Sequence, residues 1–150
     1  MEAKKILLVE DSRKDVDLTL AALEEHHLAN EVVVAQDGVE GLDYLHARGR
    51  FQGRPSGLPV VVLLDLKMPR MDGLEVLRQV KADADLKRIP IVVLTSSREE
   101  QDIVKSYDLG VNAYVVKPVA FESFMDVVKQ LGLFWVLTNQ PAPAGKSATA

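Results

Sequence analysis

Apolar runs of strand length that end in acidic residues constrain the fold of this 150-residue chain more than any other feature. The run Val60–Leu64 is wholly aliphatic and is followed directly by Asp65. An uninterrupted run of this kind is typical of a strand buried on both faces, as in parallel sheets. A second run, Ile6–Val9, is followed by Glu10 and Asp11. Two such strands side by side would place three carboxylates at one edge of a sheet.

These apolar runs alternate along the chain with segments of helical period. The predicted strands lie near residues 4–10, 31–35, 59–65, 89–95 and 113–117. The predicted helices lie near residues 12–28, 37–48, 73–83, 97–109 and 120–137. Five successive β-then-α units predict a doubly wound α/β fold, with a parallel sheet and helices on both faces. The flavodoxin-like strand order 2-1-3-4-5 places the two acid-terminated strands side by side.

Local signals mark several helix ends. Asp37 with Glu40, and Ser97 with Glu100, both resemble capping boxes. Gly110 follows the fourth helix at a plausible C-cap position. The last helix has apolar residues at the i, i+3, i+4, i+7 spacing, which predicts one buried face. These apolar residues are Phe124, Val127, Val128, Leu131 and Phe134.

Composition excludes several classes of protein. The net charge of −4 provides no electrostatic case for nucleic-acid binding. There is no cysteine, which excludes disulfides and thiolate metal sites and fits a reducing cytoplasm. No apolar stretch approaches the roughly 18 residues of a membrane span, and the apolar segment near Met1 is too short for a signal peptide. We therefore expect a cytoplasmic protein with neither a membrane nor a nucleic acid as partner.

Two segments lack a strand or helix pattern. Residues 47–59 are rich in Gly, Pro and Arg, which indicates a surface connector or, alternatively, a docking site for a partner. Residues 139–150 are small and polar with two prolines, and they predict a disordered tail after a single domain over residues 1–138.

The strand ends carry a set of groups suited to phosphoryl transfer. Besides the three carboxylates, the fourth strand ends in Thr95 and the fifth in Lys117. Crowded carboxylates need a compensating cation, so Asp11 and Asp65 predict a Mg²⁺ site, with Glu10 acting through water. The hydroxyl and the ammonium could bind phosphoryl oxygens, with Asp65 as the nucleophile.

Four motifs, LLVED, LLDLKMPRMDG, VVLTS and AYVVKP, occur in this order within residues 4 to about 137. With these motifs in register, the chain resembles the CheY-like receiver domains of two-component response regulators. The resemblance implies a module that accepts a phosphoryl group from a histidine kinase. It also implies that the chain is not an enzyme, beyond catalysing its own phosphorylation and dephosphorylation.

The resemblance assigns roles at the phosphorylation site. Asp65 matches the phosphoacceptor, and Glu10 and Asp11 match the acidic pair. The magnesium ligands implied by the family are Asp11, Asp65 and the backbone carbonyl of Lys67.

Further roles follow from the same resemblance. Lys117 matches the family's lysine, and its peptide bond to Pro118 is expected to be cis. Thr95 matches the hydroxyl that follows the phosphoryl group. Tyr114 matches the aromatic switch residue coupled to that hydroxyl, although ordinary packing would also account for a tyrosine on this strand.

A narrower resemblance concerns the partner. The long connector, the segment KADADLKRIPIVVLTSS and the pair Phe134–Trp135 resemble single-domain regulators of bacterial phytochrome histidine kinases. The implied kinase is then of phytochrome type. A homodimer through helix 4, strand 5 and helix 5 is a further expectation, with Phe134 and Trp135 either at that contact or packed in the core.

Two alternatives belong to other functional classes. A phosphohydrolase of the haloacid-dehalogenase type also uses a strand-end Asp with Mg²⁺, but it would require an acid–base Asp where this chain has Lys67. A flavodoxin-like electron carrier would require a phosphate-binding loop rich in Ser, Thr and Gly after the first strand. Here Glu10 and Asp11 occupy that position.

Overall fold

The computed structural model describes residues 5–25, 28, 32–55, 57–106, 108–109, 111 and 113–133. Strands and helices alternate within these residues, as predicted. They are β1 (Ile6–Val9), α1 (Arg13–Glu24), β2 (Val32–Ala35), α2 (Gly38–His46), β3 (Val61–Asp65), α3 (Gly73–Ala82), β4 (Ile91–Thr95), α4 (Arg98–Ser106), β5 (Tyr114–Val116) and α5 (Phe121–Gln130). None of the helices in the described part of the chain is both long enough and apolar enough to cross a membrane.

The sheet is parallel and has the order β2-β1-β3-β4-β5, which confirms the flavodoxin-like prediction. Val9 of β1 pairs with Leu64 of β3. The next residues along these strands, Glu10 and Asp65, therefore emerge next to each other at the carboxyl edge. Thr95 ends β4 at the same edge. The strand order thus gathers the polar residues that the sequence places at strand ends.

Two apolar layers hold the helices against the sheet. Successive strand residues point to opposite faces, so each buried strand contributes to both layers. One layer packs under α1 and α5 and includes Leu8 and Phe124. The other packs under α2, α3 and α4 and includes Leu64 and Leu77. Phe124, Val127 and Val128 of α5 are buried, which confirms the predicted apolar face of that helix.

The last helix is shorter than predicted, because α5 ends at Gln130 and not near residue 137. Gly132 has a φ of +73°, a left-handed conformation that ends a helix and that glycine adopts without strain. The N–H of Leu133 donates to the carbonyl of Val128 at 2.9 Å, which closes the end. Phe134, Trp135 and the tail at 139–150 lie outside the described residues, as does the predicted cap Gly110.

Both predicted capping boxes are present with one difference. The N–H of Glu40 donates to Asp37 Oδ1 at 2.9 Å, and the N–H of Glu100 donates to Ser97 Oγ at 3.3 Å. Each glutamate, however, accepts a hydrogen bond from the residue before the cap: Gln36 in the first case and Ser96 in the second.

The connector after α2 is held by arginine. The guanidinium of Arg54 donates to the carbonyls of Tyr44 at 2.7 Å and of Pro55 and Gly57 at 2.8 Å each. It also lies 4.4 Å from the ring centroid of Tyr44. These contacts attach the connector to the end of α2.

Candidate functional site at the carboxyl edge of the sheet

Glu10, Asp11 and Asp65 come together where β1 and β3 end. Each contributes one carboxylate oxygen to a group whose atoms all lie within 4.8 Å of one another. Glu10 and Asp65 are buried, whereas Asp11 is exposed. Oxygen atoms grouped in this way are the ligands that hard divalent cations prefer.

The electrostatics of this cluster fit a bound cation. Burial raises the pKa of Glu10 to about 7, and the negative charge of Asp65 adds to the shift. The N–H of Ser12 and the ammonium of Lys117 favour the ionised form of Glu10, but they do not outweigh the burial. A divalent ion would relieve the repulsion between the two buried carboxylates. The residues present are therefore suited to holding a metal ion.

Lys117 reaches the cluster from the end of β5. Its Nζ lies 3.2 Å from Glu10 Oε1, 3.1 Å from Asp65 Oδ1 and 3.0 Å from Asp15 Oδ2. Burial disfavours the charged ammonium, but the contacts with Asp15 and Asp65 and the charges of Asp65 and Glu10 raise the pKa of Lys117. Lys117 therefore carries a positive charge at neutral pH. Its peptide bond to Pro118 is cis.

Thr95 presents a buried hydroxyl at the end of β4. The residue is fully buried, and its Oγ1 has no hydrogen-bond partner among the described residues. Buried polar atoms in folded proteins nearly always have a partner, and an exception calls for an explanation. A ligand at the carboxyl edge of the sheet would supply the missing acceptor.

Glu100 connects the two loops that follow β3 and β4. Its carboxylate accepts hydrogen bonds from the N–H of Ser96 at 2.9 Å and the hydroxyl of Ser96 at 2.8 Å. Lys67 Nζ lies 3.3 Å from the same carboxylate. Burial would raise the pKa of Glu100, but the hydrogen bonds from Ser96 and the contact with Lys67 lower it. Glu100 therefore holds the residue next to Thr95.

Tyr114 lies at the start of β5, half-buried against the layer under α4. Its hydroxyl donates to the carbonyl of Val111 at 3.1 Å, and Lys105 Nζ lies 5.4 Å from the ring centroid. Burial raises the pKa of Tyr114. Ile103 of α4 and Val116 of β5 are about half exposed on this side of the molecule (51% and 49%).

The loop between β3 and α3 is held at both ends. The N–H of Gly73 donates to the carbonyl of Leu66 at 2.8 Å. Arg70 forms a two-pronged contact with Asp37, from Nε to Oδ2 at 2.7 Å and from Nη2 to Oδ1 at 3.1 Å. Burial would raise the pKa of Asp37, but its hydrogen bonds with Arg70 and the N–H of Glu40 lower it.

The structure thus brings together the residues singled out from the sequence at strand ends, and it adds three others. Asp15 has no strand-end position, and its location in the first turn of α1 is typical of an acid that stabilises a helix N-terminus. The sequence already explains Glu100 as part of a capping box, so it gives no reason to look for a further contact. Arg70 lies in a polar loop. No local pattern in the sequence indicates the distant partners of these three side chains.

This combination of fold and strand-end groups corresponds to a known family. The model of the response regulator receiver domain matches residues 6–129. The chain belongs to this family. The match covers all the elements from β1 to nearly the end of α5, and it identifies the chain as a receiver of two-component signalling.

The receiver is similar over most of its length to phytochrome response regulators. It is 57% identical to the bacteriophytochrome response regulator AtBRR, whose solved structure gives a TM-score of 0.87 and covers 97% of this chain and 100% of that chain. Response regulator Rcp1 of Synechocystis sp. is 39% identical over 135 residues, which cover 90% of each protein.

Two further solved structures are of relatives in a metal-bound and in a phosphorylated form. One is the Mn²⁺-bound form of Rcp1, with a TM-score of 0.69 over 94% of this chain and 99% of that chain. The other is the phosphorylated cyanobacterial phytochrome response regulator RcpA, which is 42% identical and has a TM-score of 0.71 over 91% of this chain and 96% of that chain. These matches do not support the haloacid-dehalogenase alternative.

Proposed function

We propose that the receiver accepts a phosphoryl group on Asp65 from a phosphohistidine of a histidine kinase. The observation that carries this proposal is the 3.1 Å contact between Lys117 Nζ and Asp65 Oδ1, because it sets a positive charge beside a buried carboxylate at the acidic cluster. A carboxylate oxygen of Asp65 attacks phosphorus, and the new P–O bond forms as the P–N bond of the donor breaks. The imidazole keeps the electron pair of that bond and takes up a proton.

Positioning and charge supply most of the catalysis in phosphoryl transfer. Lys117 neutralises one phosphoryl oxygen, and the hydroxyl of Thr95 donates to another. We assign the metal ion to Asp11, Asp65 and the backbone carbonyl of Lys67, with Glu10 acting through a water molecule. Mg²⁺ bound there would offset the charge of the incoming phosphoryl group.

The proposed donor is a phytochrome-type histidine kinase in the cytoplasm. The 57% identity to AtBRR over 97% of the chain supports this choice above other kinases. We propose no nucleic acid and no membrane as partner, in keeping with the net charge of −4. On this view the chain acts on no separate substrate and catalyses only its own phosphorylation and dephosphorylation.

We propose that phosphorylation alters the face formed by α4, β5 and α5, through Thr95 and Tyr114. The hydroxyl of Thr95, which has no hydrogen-bond partner in the described part of the chain, supports this role, as do the half-exposed Ile103 and Val116. A homodimer through the same face is the proposed readout, with Phe134 and Trp135 as candidate contacts beyond the described residues. The proposed receiver domain spans residues 1–138, with a disordered tail at 139–150.

Intact-mass spectrometry after incubation with acetyl phosphate and Mg²⁺ tests the phosphorylation site. We expect one phosphate-sized increment that requires Mg²⁺ and is absent in Asp65→Asn. The matched control is Asp17→Asn, which makes the same chemical change at an exposed carboxylate of α1 whose Oδ1 lies 3.3 Å from Arg13 Nε. This control should be phosphorylated as the wild type is. An Asp65→Asn protein that still gains the increment would exclude Asp65 as the acceptor.

A further inference from the structure

Lys117 contacts three carboxylates, and the proposed phosphoryl transfer uses only two of them. Glu10 and Asp65 belong to the acidic cluster, but Asp15 comes from the first turn of α1. Its Oδ2 lies 3.0 Å from Lys117 Nζ, the shortest of the three contacts. An ammonium has three N–H donors, and three carboxylates already surround this one within 3.2 Å. The Lys117 ammonium donates hydrogen bonds to Glu10 and Asp15 and forms an ion pair with Asp65, so carboxylates surround it before any phosphoryl group arrives.

A phosphoryl oxygen that binds Lys117 competes with these carboxylates for the ammonium, and the carboxylate that is least costly to displace gives way. Asp65 carries the phosphoryl group and stays in place. The Glu10 side chain is 1% exposed and is held from a second side, because its Oε2 accepts the N–H of Ser12 at 3.2 Å. Displacing Glu10 would leave a buried carboxylate without its ammonium. The Asp15 side chain is 28% exposed, so water can replace Lys117 as its partner at small cost.

We infer that Asp15 is a positioning residue that holds the Lys117 ammonium in the unphosphorylated receiver and releases it to the phosphoryl group. This inference rests on the proposed function. In the unphosphorylated state, Asp15 anchors the end of β5 to α1 through Lys117. In the phosphorylated state, a phosphoryl oxygen takes the place of Asp15 Oδ2, and the carboxylate turns to solvent.

The inference predicts the direction in which removal of Asp15 changes the affinity for a phosphoryl group. A contact that exists only before phosphorylation stabilises the unphosphorylated state, so its removal favours the phosphorylated state. Asp15 also brings a negative charge close to the position of the phosphoryl group, and its removal lowers the repulsion there. Both effects tighten the binding of a phosphoryl group. If Asp15 instead only oriented Lys117 for the phosphoryl group, its removal would weaken that binding.

The test uses beryllofluoride, which binds a carboxylate oxygen in the tetrahedral geometry of a phosphoryl group. Its affinity for the whole chain is measured by ¹⁹F NMR at saturating Mg²⁺, for the wild type and for Asp15→Asn and Asp17→Asn. We expect Asp15→Asn to bind about 3- to 10-fold more tightly, in line with a partly exposed ion pair. The control Asp17→Asn carries the same change of charge on the same helix and should bind as the wild type does.

Each outcome decides a different question. Equal or weaker binding by Asp15→Asn overturns the inference, and equal tightening by both variants overturns it as well, because the effect would then be one of general charge. A wild-type protein that binds no beryllofluoride would instead refute the proposed function.

A structure of the wild-type complex with beryllofluoride and Mg²⁺ checks the inference without any substitution. Separation of Asp15 Oδ2 from Lys117 Nζ beyond hydrogen-bond distance supports it, and an intact contact beside the bound beryllofluoride refutes it.

Discussion

Gly73, the first residue of α3, lies against the main chain of the proposed phosphoacceptor. A Cβ atom at this position would lie 2.3 Å from the carbonyl oxygen of Asp65 and 2.8 Å from Cα of Leu66. Ordinary van der Waals contact begins at 3.4 Å, so the two segments would have to separate by about 1 Å. The opposing atoms are backbone atoms at the end of a buried strand, and they cannot rotate away as a side chain can.

We expect Gly73→Ala to lower the free energy of unfolding by about 3 kcal/mol, the cost of overpacking a close-packed site. The displaced atoms belong to Asp65 and to the residue after it. The rate of phosphorylation by acetyl phosphate should therefore fall by about 100-fold, as expected when a reacting group is misplaced by about 1 Å. Urea unfolding measures the first quantity, and intact mass followed over time measures the second.

Gly41→Ala provides the matched control, because it adds the same methyl group inside α2. There the three nearest atoms to a Cβ would be side-chain atoms of Val9, the closest at 3.1 Å, and a shift of a few tenths of an ångström would relieve the contact. Alanine also has the higher helix propensity, by about 1 kcal/mol. Gly41→Ala should thus keep near wild-type stability and rate. If Gly73→Ala matched it in both measurements, the close approach to Asp65 would not position the phosphoacceptor.

Two further predictions concern single contacts. Thr95→Val replaces a buried hydroxyl, for which the described residues offer no partner, with a methyl group. Thermal unfolding should therefore show a gain of about 1 kcal/mol in the stability of the unphosphorylated protein. The same variant should bind beryllofluoride at least about tenfold more weakly, and a loss of stability would show that the hydroxyl has a partner. Arg70→Met removes the side chain that, together with the N–H of Glu40, lowers the pKa of Asp37. The folded-state pKa of Asp37 is depressed. The contribution of the Arg70–Asp37 pair to the free energy of unfolding is therefore present above the ordinary pKa of an aspartate and is lost as the pH falls through the folded-state value. Urea midpoints of wild type and Arg70→Met should therefore differ at pH 7 and converge in acid, and a difference that persisted in acid would contradict this origin.

Much of the fold is determined by local patterns in the sequence. The order of the strands and helices follows from the spacing of apolar residues, because each regular element repeats its side-chain directions at its own period. The position of Asp65 at the end of a wholly aliphatic run places it at the carboxyl edge of a parallel sheet, together with Thr95. Where the prediction of α5 was too long, Gly132 marks the true end of the helix, because the left-handed φ there follows from local backbone preference.

Only the tertiary structure decided which of these groups touch and which side chains join them. Asp15 meets Lys117 across 102 positions of the chain, and Arg70 meets Asp37 across 33. Such contacts depend on the distance between packed elements and on the reach of each side chain, and no periodic pattern carries that information. The environment of the buried Thr95 hydroxyl is likewise decided by tertiary packing. A threonine at a strand end is evident from the sequence, but the lack of a partner for its hydroxyl among the described residues depends on how the elements around it pack.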